Sequence, residues 1–80
     1  MNSDLVAQMI RAGMPDAEVT VTGEDGVHFE AHIISASFAG KTTLQRHRAV
    51  YATLGAHMGR EIHALALRTD VPESGNQALT

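Results

Sequence analysis

A stretch of helical periodicity lies between two strand-like runs, and this arrangement limits the fold more than any other feature of the chain. Most of it falls within Ala36 to Thr69. Thr42 or Thr43 can cap a helix from Leu44 to about Met58. On that helix Leu44, Val50, Tyr51, Leu54 and Met58 gather on one side, with His47 in their midst. Gly59 is placed to end it. Ile62 to Thr69 then reads as a strand, with Leu65 and Leu67 on one face and Ala64 and Ala66 on the other. Upstream, the segment from Val27 or His28 to Ser35 sets Phe29, Ala31 and Ile33 against His28, Glu30, His32 and Ile34. Two strands joined through a helix are expected to be parallel neighbours, since a tight hairpin cannot connect them.

The remaining segments complete the order. Asn2 or Ser3 can cap a first helix bearing Leu5, Val6, Met9 and Ile10 as an apolar stripe, stopped by Gly13 and Pro15. Ala17 to Thr22 alternates as a half-buried strand, and Gly23-Glu24-Asp25-Gly26 is a turn cluster, so this strand forms a hairpin with the next. Ser35 to Phe38 can form a short helix broken at Gly40. The expectation is an α+β domain of order αββααβ over residues 1–72, with a mixed three-stranded sheet and helices packed on it. Residues 73–80, ESGNQALT, are polar and expected to be a disordered tail.

Composition narrows the function. Eighty residues, 44% apolar with few aromatics, support one small core of aliphatic side chains. A net charge of −3 gives no global attraction to nucleic acid or to an acidic membrane surface. No apolar run approaches the roughly 20 residues that span a bilayer, and MNSDLVAQ lacks the pattern of a signal peptide. A soluble cytoplasmic protein is the expectation. There is no cysteine, which excludes disulfides, a thiol nucleophile and thiolate metal sites. A bound metal would rely on His, carboxylate or groups from a partner, and the chain has five histidines.

The topology sorts those histidines. His28 and His63 stand at the starts of two strands expected to be parallel, so they share one sheet edge, about 5 Å apart if the strands are adjacent. His28 and His32 lie about 13 Å apart along one strand, and His47 and His57 about 15 Å apart along a helix. Only His28 with His63 forms a candidate pair. Taken singly, a histidine at a strand end is ordinarily a solvated polar residue. His47 reads as a core histidine bonded to backbone, and His32 and His57 as surface residues.

Lys41, Arg46, Arg48 and Arg60 bracket the main helix and can contact phosphate, although a solvated charged face is the plainer reading. Gly40-Lys41-Thr42-Thr43 occupies the place of the GxxG loop of a nucleic-acid-binding KH domain but lacks its second glycine. It also falls short of a phosphate loop, with Ala36 where the first glycine belongs. No catalytic triad or carboxylate pair is present in a convincing order, so an enzyme is not expected.

Phe38-x-Gly40-Lys41, then Leu44-Gln45-Arg46-His47-Arg48-x-Val50-Tyr51, then Ile62-His63-Ala64-Leu65 together resemble the BolA family, over about Leu5 to Thr69. The resemblance implies the BolA fold, which is similar to a class II KH domain. It also implies a monothiol glutaredoxin as partner, with a [2Fe–2S] cluster bridging the two proteins and thiolates supplied by the glutaredoxin and its glutathione. This side would supply His63 and a second ligand from the hairpin-loop region, where the chain offers His28. One iron would then have a histidine-containing shell, as in Rieske-type asymmetry. No cluster is expected on the isolated chain, which would be a monomer or weak homodimer.

The implied role is an adaptor in iron–sulfur cluster trafficking or iron sensing. Some relatives are described as transcriptional regulators, which makes a KH-like surface at Lys41, Arg46 and Arg48, contacting DNA, the alternative. The missing glycine and the acidic net charge favour the adaptor. The chain departs from many relatives in having Ala39 and Ala56 in place of acidic residues, and its Gly23–Val27 loop is short.

Overall fold

The computed structural model describes residues 1–72. Asn2 caps helix α1, Ser3–Gly13, by accepting the Leu5 N–H at 2.8 Å. Strand β1, Glu18–Thr22, pairs antiparallel with β2, His28–Ile34. A 3-10 turn, Ala36–Phe38, leads to helix α2, Thr43–Leu54, and a second turn, Gly55–His57, precedes strand β3, Ala64–Asp70. β3 pairs parallel with β2, so the sheet runs β1-β2-β3 and is mixed, as the helical crossover required. The expected short helix is a single 3-10 turn. Tail residues 73–80 lie outside the described residues.

Both helices cover one face of the sheet. Val6, Ala7 and Ile10 from α1 and Val50 and Leu54 from α2 close over Val19, Phe29, Ala31, Ile33 and Leu65. Met14, Phe38 and Ile62 complete this core, the last two fully buried. The other face carries Thr20, Glu30, Ala66 and Arg68 and is not covered by a helix. Ser35 is the buried polar residue of this core, and its hydroxyl is satisfied: it donates to Asp16 Oδ2 at 2.5 Å and accepts from the Ser37 N–H at 3.1 Å.

Helix α2 stops four residues before the expected Met58. Gly55 adopts φ +53°, and its N–H closes the last turn on the Tyr51 carbonyl. A glycine in this conformation terminates a helix even where the apolar pattern runs on. The expected stripe also needs correction. Val50 and Leu54 are buried, but Leu44 is 59% and Tyr51 37% exposed. Both lie roughly 100–120° around the helix from Val50, on one flank. Tyr51 uses that position to donate its hydroxyl to the Leu65 carbonyl at 3.2 Å. Leu5 of α1 is likewise exposed. β3 begins at Ala64, not Ile62, because Ile62 is spent in the turn that precedes it.

Candidate functional site

The parallel pairing brings the two candidate histidines to one end of the sheet. The His63 N–H donates to the Val27 carbonyl at 3.0 Å, and the β2–β3 register sets His28 beside Ala64. His63 is therefore one residue out of step with His28. Strand spacing puts their backbones about 6 Å apart on the diagonal. Both side chains are exposed.

Each histidine is held by its own local device. For His63 the device is the turn before it. The Ile62 N–H donates to the His57 carbonyl at 3.1 Å, and the Gly59 N–H to the Ile62 carbonyl at 2.8 Å. Gly59 takes φ +87° to allow this. Ile62 is wedged into the core, which turns the following residue outward. In the same turn His57 Nδ1 lies 2.9 Å from Glu61 Oε2, so His57 is a surface residue, as expected, with a carboxylate partner.

For His28 the device is Asp25. Asp25 Oδ1 accepts the N–H groups of Val27 and His28, at 3.0 and 2.8 Å, and its Oδ2 lies 2.5 Å from His28 Nδ1. The His28 backbone N–H, then the His28 ring, then the Val27 N–H hold the Asp25 carboxyl well below the usual carboxylate range. The hairpin turn is thus pinned by its own side chain. Asp25 belongs to the turn cluster expected from the sequence, and an aspartate two and three residues ahead of the N–H groups it caps is a recognisable spacing.

The remaining histidines lie elsewhere. His32 Nε2 contacts Asp70 Oδ2 at 2.7 Å on the bare sheet face, so it too has a carboxylate partner. Arg68 Nε shares that carboxylate at 3.2 Å. His47 is half-buried on α2. Among the described residues no group of three or more His, Asp or Glu is placed to hold a metal ion. The His28–His63 pair is two ligands, and a tetrahedral iron would need others from outside the chain. An open groove of about 500 Å³ on the bare face is lined by His28, Glu30 and Ala64 but not by His63.

The basic residues divide. Lys41 is exposed just before α2 and Arg48 is exposed midway along it, whereas Arg60 lies beyond the far end of the helix. Arg46 is half-buried: its Nε donates to the Lys41 carbonyl at 3.0 Å and its guanidinium lies 5.8 Å over the Phe38 ring. It fastens the Gly40 turn to α2. No helix among the described residues is long and apolar enough to cross a membrane.

Comparison with known proteins agrees with this architecture. A protein of Acinetobacter guillouiae described only by its place in the rpoN-murA intergenic region is 37% identical over 98% of this chain and 94% of its own length. The DNA-binding transcriptional regulator BolA of Escherichia coli is 43% identical, but the match covers 52% of this chain and 40% of that protein. Among solved structures, a bolA protein homologue from Coxiella burnetii superposes with a TM-score of 0.83 at 40% identity, covering 95% of this chain and 97% of its own. The family model for BolA-like proteins matches residues 8–74, and on that match the chain belongs to the BolA family.

Proposed function

We propose that this chain is an adaptor that binds a monothiol glutaredoxin and contributes His63 and His28 as imidazole ligands to a shared [2Fe–2S] cluster. The role would lie in iron–sulfur cluster trafficking or iron sensing. The observation that supports the reading is the Val27–His63 hydrogen bond, which brings the His63 backbone to the end of β2 where His28 stands, with both histidines exposed, in a chain without cysteine. Such a pair would supply the imidazole ligands of one cluster iron and leave the other iron to the thiolates of the glutaredoxin and its glutathione. Neutral imidazole is the ligating form. His63 is the firmer ligand, because the Ile62 wedge and the turn bonds fix its backbone. The proposal includes no catalytic role.

The test is the visible absorption and circular dichroism of the chain mixed with a cluster-loaded monothiol glutaredoxin. A heterodimer with an altered cluster spectrum, lost in His63→Ala, is the expected result. An unaltered spectrum with folded wild-type protein would overturn it.

A second reading, binding of DNA, is favoured by the exposed Lys41 beside the Gly40 turn, by the exposed Arg48 on α2 and by the name of the Escherichia coli relative. It predicts binding that weakens steeply with salt and survives loss of both histidines. Arg46 contributes less to such a surface than its sequence position suggests, since Lys41 O and Phe38 already engage it.

A further inference from the structure

We infer that Asp25 is a positioning residue for His28, selecting the ring tautomer and thereby the nitrogen that faces a ligand. This deepens the proposed function and rests on His28 being a ligand there. The argument is one of donor counting. Asp25 Oδ1 already accepts two backbone N–H groups, which leaves Oδ2 for the ring, and a carboxylate oxygen accepts. Oδ2 lies 2.5 Å from His28 Nδ1, a contact that a carboxylate makes with the tautomer carrying its hydrogen on Nδ1. A neutral imidazole has one N–H, which leaves the lone pair on Nε2, at the far side of the ring and pointing away from the turn. A carboxylate behind a ligating histidine also raises its basicity and fixes its orientation.

The turn that places Asp25 is independent of any partner. A β-carbon at Gly23 would lie 2.5 Å from the Phe29 ring and 2.7 Å from the His28 carbonyl, so the strand can approach this closely only over a glycine. Gly26 follows Asp25 at φ +79°, reversing the chain so that the next two N–H groups point back at the carboxylate. Asp25, His28 and the backbone between them therefore form a preorganised unit. Among the described residues His63 has no such carboxylate bond, so the ring of His28 is held by a side chain whereas His63 is held through its backbone.

The experiment uses the whole chain and two variants. Asp25→Asn keeps an oxygen for the backbone N–H groups but turns an amide N–H toward Nδ1, which forces Nδ1 to accept and moves the hydrogen to Nε2. Asp25→Ser keeps a backbone acceptor and removes the ring contact. The ¹⁵N shifts of the His28 ring in the free protein, above the ordinary histidine range, should show Nδ1–H in the wild type, Nε2–H in Asp25→Asn and a mixture in Asp25→Ser. A wild-type ring found as Nε2–H overturns the inference whatever the partner does. With a cluster-loaded glutaredoxin, the lifetime of the shared cluster should fall about 10- to 100-fold in Asp25→Asn. Retention of the wild-type lifetime in Asp25→Asn, while His28→Ala shortens it, overturns the positioning role. If His28→Ala itself changes nothing, the ligand reading of His28 fails, and the inference fails with it.

Discussion

Replacing Ile62 by alanine should unfold a large part of this protein's stability margin and loosen the segment that presents His63. The side chain is fully buried and is the one apolar anchor between the Gly59 turn and β3. Alanine removes three of its carbons. At about 0.8 kcal/mol per buried methylene the transfer loss alone is roughly 2.5 kcal/mol. The cavity left behind raises this, within a range of about 2–5 kcal/mol for such substitutions. A chain of this size has only about 4–12 kcal/mol to lose. Ile62→Val, which removes one methyl group, should cost about 0.5–1.5 kcal/mol. That corresponds to a fall in Tm of roughly 2–12 °C.

Urea denaturation followed by far-UV circular dichroism measures both variants, and the slope with denaturant should hardly change because the area exposed on unfolding hardly changes. Hydrogen exchange supplies a local readout. The N–H of His63, bonded to the Val27 carbonyl, should exchange faster in Ile62→Val by more than global stability accounts for. A loss below about 0.5 kcal/mol in Ile62→Ala would refute the reasoning, since surface substitutions already fall in that range. The outward turn of His63 would then need another cause.

Two further outcomes follow from contacts away from the histidine pair. A β-carbon at Gly13 would sit 2.6 Å from Thr53 Cγ2, so Gly13→Ala should destabilise by about 1–3 kcal/mol through overpacking of α1 on α2. Thr53→Ser in the same chain should restore part of the loss in a thermal melt, and a simple gain from Gly13→Ala would refute the close approach. The side-chain hydrogen bond from His32, and then that from Arg68, hold the Asp70 carboxyl below its ordinary value. A depressed carboxyl stabilises above its unfolded value, and that contribution disappears as pH falls through the folded one. The gap in urea midpoint between wild type and Asp70→Asn should therefore be present at neutral pH and close as pH falls below the ordinary carboxylate value of 3.8; a gap constant with pH would exclude this pairing as its source.

Much of the fold was legible because it depends on local pattern. Alternation from Val19 to Val21 and from Phe29 to Ile33 defined the two hairpin strands, and a helix between β2 and β3 left parallel pairing as the simple arrangement. That pairing alone brought His28 and His63 to one end of the sheet, since two parallel neighbours begin together. The Asp25–His28 device was also within reach, being a spacing of three residues in one turn.

What the sequence could not decide depends on contacts between distant segments. Whether Leu44 and Tyr51 face the core depends on how α2 sits on the sheet, and an apolar side chain carries no mark of which flank will be covered. The pairing of His32 with Asp70, 38 residues apart, depends on the β2–β3 register, in which Asp70 lies beside Ile34. The end of α2 turned on Gly55 rather than Gly59, a choice between two glycines that either local pattern allowed. Taken alone, the chain determined its strands, its crossover and its stock of imidazoles without thiols, because these follow from residue type and spacing. Only the tertiary structure determined that Ile62 is buried and His63 exposed, because a single core must be filled from one side, and the residue beside the wedge is left to the solvent.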